Sequence, residues 1–253
     1  MCCKLPINIE VICTYQLYKG ISDMSKELTI AVLTGNHSYP IRPFHDFFRN
    51  LDGVNAYIQN FDEWLTAAGE NGDHQIEHDA YDVTLFYTML RGALEGKAKE
   101  SINHLFESGQ PVFFLHHAIL NGLSRINGSL EPAAGEPWSE IMGLPERGIT
   151  LDEWLAWIGP YKVNVSKEHP AAIGLDDFEI TDEIYGIGDC TDECDVLLTT
   201  SKKESMHTLA WSKIYNNSRV FCMQLGHDAR CWENPAFQTL MKNGLRWCVG
   251  DLG

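Results

Sequence analysis

The chain has 253 residues, and 44% of them are hydrophobic, which is enough for the core of one large α/β domain. Its net charge of −16 argues against nucleic acid and anionic membrane surfaces as partners, because both bind through a cationic face. No apolar run approaches the length of a membrane span, and the eight scattered cysteines favour reduced thiols in a cytoplasmic protein over a zinc site.

The first half of the chain shows the alternating strand and helix patterns of an α/β fold. Residues 1–23 lack the features of a signal peptide, so we expect a poorly ordered extension before a single domain at 24–253. Apolar runs predict strands, and apolar side chains spaced by three or four residues predict helices. The predicted strands cover 28–33, 54–58, 81–87 and 111–115, and the predicted helices cover 43–51, 62–69 and 94–106.

The second half begins with an interruption at 119–158, which is rich in Gly, Pro and Trp. A long insertion of this composition predicts an irregular lid or binding loop. A last helix is predicted after Asn234, which caps it, with Pro235 in its first turn. The whole pattern predicts one doubly wound α/β domain with a mostly parallel sheet. Further strands are predicted near 161–165, 178–182, 196–199, 208–211 and 219–225.

Histidines follow several of the predicted strands. His37 follows the first strand, His116 and His117 follow the fourth, His169 opens a turn after the insertion, and His227 follows the last strand. Because ligands of open α/β sheets bind at the carboxyl edge of the strands, we expect these imidazoles to meet at one rim. Each of them taken alone fits a solvated loop histidine equally well.

Glu183 ends a strand-like stretch and adds a carboxylate to this set, although it also fits an exposed acidic turn. Imidazoles and carboxylates bind zinc or manganese, and imidazoles also transfer protons. No local motif such as His-Glu-x-x-His is present, so both alternatives stay open. The candidate metal ligands are His37, His116, His169 and His227, and the candidate catalytic residues are His37, His116, His117, Glu183 and His227.

Aromatic and acidic side chains could bind a sugar. Trp138 and Glu140 offer a ring face and a carboxylate, but Trp138 equally fits a side chain that fixes the insertion to the domain. The stretch 111–119 has the layout of a nucleophile elbow, yet it carries two histidines where Ser or Cys would stand, which argues against covalent catalysis. The candidate substrate-binding residues are Tyr39, Trp138, Glu140, Tyr185 and Asp228.

Several short motifs occur in a fixed order along the chain. They are Gly35-Asn-His-Ser-Tyr39, Leu115-His-His-Ala118, His169-Pro170, Thr181-Asp-Glu-Ile-Tyr185, Leu209-Ala-Trp211, Gln224-Leu-Gly-His-Asp228 and Asn234-Pro-Ala-Phe237. Together they resemble the trehalose-utilisation (ThuA-like) family of the class I glutamine amidotransferase-like superfamily. The resemblance implies a flavodoxin-like, three-layer α/β/α fold and a role in sugar utilisation, alongside oxidoreductases that make keto-sugars. The superfamily's catalytic cysteine has no equivalent here, and 143–148 departs from the Gly-Gly-aromatic block expected in the family.

Two functions are compatible with these observations. The first is a hydrolase- or lyase-type enzyme that acts on a trehalose-type disaccharide or keto-glycoside by His and Glu acid–base chemistry, with zinc or manganese as the candidate cofactor. The alternative is a non-catalytic sugar-binding or regulatory protein, which the missing nucleophile favours. In either case we expect a small sugar as the ligand, and a sheet covered on both faces is compatible with a homo-oligomer.

Overall fold

The computed structural model describes residues 26–66, 80–150 and 157–253. The expected extension at 1–23 lies outside these residues. The strands are β1 Leu28–Gly35, β2 Val54–Asn60, β3 Val83–Thr88, β4 Val112–Leu115, β5 Leu123–Ile126, β6 Ser129–Pro132, β7 Ile149–Thr150, β8 Trp157–Val165, β9 Phe178–Ile184, β10 Asp195–Thr199, β11 Thr208–Tyr215 and β12 Ser218–Met223. The α-helices are α1 Ile41–Arg49, α2 Phe61–Thr66, α3 Gly96–Ser108, α4 Trp138–Met142, α5 Ala229–Trp232 and α6 Pro235–Cys248, and 3-10 helices form at His116–Leu120 and Pro170–Ala172.

Nine strands form one mixed sheet in the order β2-β1-β3-β4-β12-β11-β10-β8-β9. The five strands from β2 to β12 pair in parallel, whereas β11, β10, β8 and β9 pair antiparallel with their neighbours. The α/β class is therefore confirmed, with the parallel strands β2, β1, β3, β4 and β12 forming one part of the mixed sheet. Crossover helices connect the first strands and keep them parallel, whereas β8 and β9, and β11 and β12, are consecutive strands that pair antiparallel.

Helices cover both faces of the sheet and produce three layers. Successive residues of β1 point to opposite faces, so Ile30 and Val32 enter one core while Ala31 and Leu33 enter the other. The first core packs under α1 and α6, and the second packs under α2, α3 and α4. The capping of α6 is as predicted, because the Asn234 side chain accepts hydrogen bonds from the N–H groups of Ala236 and Phe237.

The insertion at 119–150 has regular structure, contrary to expectation. It contains α4 and a small antiparallel sheet, β5-β6-β7. The fully buried Arg147 joins the two ends of the insertion to its middle, since its guanidinium pairs with Glu136 at 2.9 Å and donates to the carbonyls of Ile119 and Asn121. Buried charges are stable only when paired in this way. Residues 151–156 lie outside the described part of the chain.

The ribbon of β8 and β9 determines which side chains reach the rim. β8 runs antiparallel to β10, so the chain beyond Val165 leaves toward the amino edge of the parallel strands. β9 runs the opposite way, and its carboxyl end meets the loop after β12, where the N–H of Gly226 donates to Asp182 at 2.7 Å. The end of β9 thus joins the ends of β4 and β12.

Among the described helices, none has the length and apolar character needed to cross a bilayer.

Candidate functional site

Three chemically active side chains converge where β4, β9 and β12 end. The Nε2 atom of His116 lies 3.1 Å from Glu183 Oε2 and 3.2 Å from His227 Nδ1, and His227 Nδ1 lies 3.1 Å from Glu183 Oε2. His116 is fully buried, Glu183 is nearly so, and the His227 side chain is 26% exposed. The group therefore lies below the surface at the carboxyl edge of the sheet, and His227 is the member that contacts solvent.

The backbone turns sharply at His116 to present its ring to this group. The residue has a φ of +54°, in the left-handed region that few side chains adopt. Its Nδ1 donates to the carbonyl of Gln224 at 2.7 Å, which turns Nε2 toward Glu183 and His227. A histidine held through one nitrogen by a carbonyl is the usual arrangement of a metal ligand.

Asp182 holds the loop that carries His227. Its buried carboxylate accepts hydrogen bonds from the N–H groups of Gly226, at 2.7 Å, and His227, at 3.0 Å. Burial raises the pKa of Asp182, against the two amides that favour the charged form. Because Asp182 and Glu183 are neighbours in β9, one residue fixes the His227 backbone while the next contacts its ring.

The residues of the group shift one another's pKa values toward a carboxylate at Glu183 and a protonated ring at His227. Burial alone would raise the pKa of Glu183, but hydrogen bonds from His116 and His227 hold that pKa far below its ordinary value. The hydrogen bond to Glu183 raises the pKa of His227. Burial, and then the charge of Glu183, raises the pKa of Tyr185 well above its ordinary value, so its phenol remains a neutral donor beside both residues.

Two further histidines lie beside this group. The buried His117 contacts the carbonyl of Tyr87 through Nε2 at 3.2 Å, and no described residue hydrogen-bonds its Nδ1. Burial, followed by the nearby His116, lowers the pKa of His117 well below its ordinary value. The exposed His37 packs against His117 with ring centroids 4.3 Å apart and the ring planes tilted by 30°, and burial of part of its ring, followed by His116, lowers its pKa. Both rings are therefore neutral near pH 7.

The structure does not bring His169 to this group, so the expectation that it joins the rim is wrong. Both ring nitrogens are occupied elsewhere, since Nδ1 accepts from the N–H of Ala171 and Nε2 lies 2.9 Å from Ser212 Oγ. Its ring packs near Phe221 and Trp247. The reason is the direction of β8, whose carboxyl end points away from the rim.

Two predicted sugar contacts also lie elsewhere. Trp138 is fully buried against Phe86 and Phe114, so its ring faces are unavailable to a sugar. Glu140 is exposed, but its carbonyl accepts from Lys213, which pairs with Val220 toward the amino end of β12. The alternative, that Trp138 fixes the insertion to the domain, describes its packing.

The other predicted contacts lie near the group. Tyr185 places its hydroxyl 2.8 Å from His116 Nε2 and 3.0 Å from Glu183 Oε2. Tyr39 is half-buried, and its ring packs against Tyr87, which also contacts His117. Asp228 follows His227 directly, but its carboxylate caps α5 and pairs with Arg230.

Sequence reasoning missed three residues that support the site. Asp182 and Gln224 hold the backbone and rings of the group, and the Tyr87 hydroxyl donates to the carbonyl of Gly226 at 3.0 Å. Gln224 also accepts from the N–H of Tyr185 through its side chain. Asp182 and Gln224 lie within motifs quoted above. A polar residue at the end of an apolar strand was the signal that could have identified them as part of the site.

The three converging atoms have a geometry that suits a metal ion. Ions such as zinc bind imidazole and carboxylate at about 2.0–2.2 Å, which places neighbouring ligand atoms about 3.3–3.6 Å apart in a tetrahedral site. The observed separations of 3.1–3.2 Å are slightly shorter than this range, so a small outward movement of the side chains would admit an ion. Within the described ranges, His116, Glu183 and His227 are the one set of three or more such residues close enough to share an ion. Without a metal, the same contacts form a proton-transfer chain.

Comparisons with known proteins agree with this architecture. Residues 73–248 match the ThuA family model, described as trehalose utilisation. A ThuA-like protein from Bacteroides uniformis is similar at 16% identity and a TM-score of 0.63, over 88% of this chain and 92% of that one. A ThuA-like protein from Parabacteroides merdae is similar at 14% identity and a TM-score of 0.60, over 88% of this chain and 90% of that one.

A structure of lower similarity is PurLQS from Thermotoga maritima, with 12% identity, a TM-score of 0.48, and coverage of 87% of this chain and 99% of that one. A comparison with curated proteins gave no match. The two ThuA-like structures share the fold of this chain, and the family model spans more than half of the sequence. The chain therefore belongs to the ThuA family, whose description is trehalose utilisation.

Proposed function

We propose that this protein is an enzyme of sugar utilisation that acts on a trehalose-type disaccharide or a keto-glycoside by metal-assisted acid–base chemistry. The observation that carries the proposal is the convergence of His116 Nε2, Glu183 Oε2 and His227 Nδ1 within 3.2 Å of one another at a partly open rim. Family membership supports the substrate class. Absence of Ser and Cys from the turn after β4 supports a mechanism without a covalent intermediate.

In this proposal the three converging residues hold a divalent ion, zinc or manganese. A bound ion would polarise a substrate oxygen or activate a water molecule. Glu183 supplies the negative charge that such an ion requires, and the contact between His116 and the Gln224 carbonyl keeps the ring in the tautomer whose Nε2 binds. Tyr185 donates a hydrogen bond within the group and holds the ligand atoms in place.

The proton-transfer group in this proposal is His37. It is exposed just after β1, its ring packs against His117, and its lowered pKa leaves it neutral near pH 7 and able to accept a proton. Such a residue can remove a proton from the carbon beside a ketone. Once protonated in that way, it can donate the proton to a glycosidic oxygen. His117 lies behind it as a neutral, buried ring that fixes its position.

Turnover in deuterium oxide tests the reaction class. We expect the wild-type protein to exchange a carbon-bound proton beside the ketone of a keto-disaccharide, or to cleave its glycosidic bond, as followed by NMR. His37→Gln and His227→Ala should abolish both events. His45→Gln is the matched control, because His45 lies beside Arg49 and Glu27, away from the rim, and it should retain full activity. Sugar binding without any product would instead support the non-catalytic alternative.

Metal content tests the cofactor independently of activity. Elemental analysis of purified protein should find about one equivalent of zinc or manganese per chain, as expected of a three-residue protein site. His116→Ala and Glu183→Ala should lose it, while His45→Gln should keep it. Full activity in a protein freed of metal would overturn the metal assignment and leave proton transfer to His227 and Glu183 themselves.

A further inference from the structure

Two cysteines outside the candidate site form a close pair. Cys190 and Cys194 lie in the loop between β9 and β10, both are half-buried, and both are free thiols. A turn over 191–194 separates them, closed by a hydrogen bond of 3.0 Å from the Cys194 N–H to the Thr191 carbonyl, and both side chains pack against the same core. Thr208 Oγ1 lies 3.8 Å from the Cys190 sulfur, and Thr191 Oγ1 lies 3.8 Å from the Cys194 sulfur. The turn therefore places both cysteines on one face of the loop, and neither is sealed from solvent.

The fold makes room for the Cys194 sulfur beside a cation. A Cβ atom at Gly143 would lie 2.5 Å from Cys194 Sγ and 3.3 Å from Lys213 Cδ, so only glycine allows this approach. Gly143 has a φ of +69° and accepts a hydrogen bond from the N–H of Thr191 through its carbonyl. The Lys213 side chain is 9% exposed, and its ammonium lies 3.8 Å from Glu193. A buried lysine beside a sulfur favours the thiolate.

The two thiols differ in acidity in the way that a reactive pair requires. The interaction with Cys190, aided by Thr191 and Lys213, lowers the pKa of Cys194 to about 7. The same interaction, together with burial, raises the pKa of Cys190. The other described cysteines, Cys222, Cys231 and Cys248, are fully buried, and burial raises the pKa of each. Reactivity is thus concentrated at one sulfur with a second sulfur in reach.

We propose that Cys190 and Cys194 are an oxidation site that closes reversibly to an intramolecular disulfide, with Cys194 as the attacking thiolate and Cys190 as the resolving thiol. With a peroxide as the oxidant, the Cys194 sulfur takes one oxygen to become a sulfenic acid, and the second peroxide oxygen leaves as hydroxide. The Cys190 sulfur then attacks Cys194, the S–S bond forms, and the sulfenic oxygen leaves as water with the Cys190 proton. Two thiols are oxidised, and one peroxide is reduced to water.

Peptide mapping tests this proposal on the full chain. Trypsin releases both cysteines in the peptide 168–202, which contains no other cysteine. After brief treatment with hydrogen peroxide and alkylation, that peptide should weigh two hydrogen atoms less than its reduced form and carry no alkyl group, and dithiothreitol should reverse the change. The buried Cys222 is the internal control and should remain reduced. At about pH 7, Cys194 should react with iodoacetamide about tenfold faster than an ordinary exposed thiol.

Single variants distinguish the two roles. In Cys190→Ser, Cys194 should stop at the sulfenic acid, which dimedone traps, and no disulfide should form. In Cys194→Ser, Cys190 should remain a thiol under the same treatment. Oxidation of both single variants at equal rates would overturn the assigned roles. A wild-type peptide that stays reduced, or that links only between chains, would overturn the disulfide itself.

Discussion

The hydroxyl of Tyr185 lies 2.8 Å from His116 Nε2, although 69 residues separate the two in the chain. The same hydroxyl lies 3.0 Å from Glu183 Oε2, and the phenol is fully protonated because its pKa is raised well above the ordinary value. Tyr185 can therefore donate only one hydrogen to two acceptors. It links His116, the first residue after β4, to Glu183 near the end of β9, and it orients both side chains before any ligand binds.

Replacing Tyr185 by Phe tests that orienting role. We expect Tyr185→Phe to fold normally and to lose about 10- to 100-fold in metal affinity or in kcat/KM, as is usual for residues that hold a metal ligand in place. Tyr215→Phe, at the far end of β11, is the matched control and should change neither. Isothermal titration with zinc and steady-state kinetics provide the two measurements. Unchanged values in both would show that the hydroxyl is only a packing feature.

Asp182→Asn should weaken both the fold and the site. The carboxylate accepts two backbone N–H groups, whereas an amide offers one oxygen and turns an NH2 toward the second donor. We expect the free energy of unfolding to fall by about 1–3 kcal/mol, the usual cost of an unsatisfied buried donor. Urea unfolding measures this loss. A fall in kcat under conditions where the variant is fully folded, with KM little changed, would locate the effect at the His227 ring. A free energy of unfolding equal to that of wild type would contradict the proposed contacts.

Stability should depend on pH through His169. Burial lowers the pKa of His169 below its ordinary value of 6.5. As the pH falls below 6.5, the unfolded chain therefore binds a proton at this residue before the folded chain does. The contribution is complete above about pH 6.5 and is lost as pH falls below it. His169→Asn keeps an acceptor for the Ala171 N–H but cannot titrate, so it should lose less stability than wild type between about pH 8 and pH 5.5. Identical losses in urea unfolding would contradict this expectation.

Trp138 should matter for stability and not for sugar affinity. Because its ring is buried between Phe86 and Phe114, Trp138→Phe should leave KM unchanged for any substrate found. Trp138→Ala should lower the free energy of unfolding by about 3–5 kcal/mol through the cavity it leaves. Kinetics on the Phe variant and urea unfolding of the Ala variant check the two halves. A raised KM in the Phe variant at wild-type stability would restore the sugar-stacking role.

The sequence predicted correctly those strands and helices that are defined by the residues within them and directly beside them. The unbroken apolar run of β4 and the Asn234 cap of α6 needed only neighbouring residues to be recognised. The partners of β9 could not be predicted, because its contact with the loop after β12 depends on pairing between distant segments. His169 was misplaced for the same reason, since the spacing of residues carries no information on the direction in which β8 runs. His116 and His227 were found because His116 directly follows β4 and His227 lies in the loop after β12, both at the carboxyl edge.

The left-handed backbone at His116 makes glycine the substitution with the lowest conformational cost at this position. His116→Gly would remove the ring without straining the turn and would leave a space bounded by the Gln224 carbonyl, Glu183 and Tyr185, each of which contacted the lost imidazole. Such a space matches free imidazole in size and in the positions of its hydrogen-bonding partners. Added imidazole should therefore rebuild the centre from solution, so the protein surrounding His116 already constitutes a receptor for that ring.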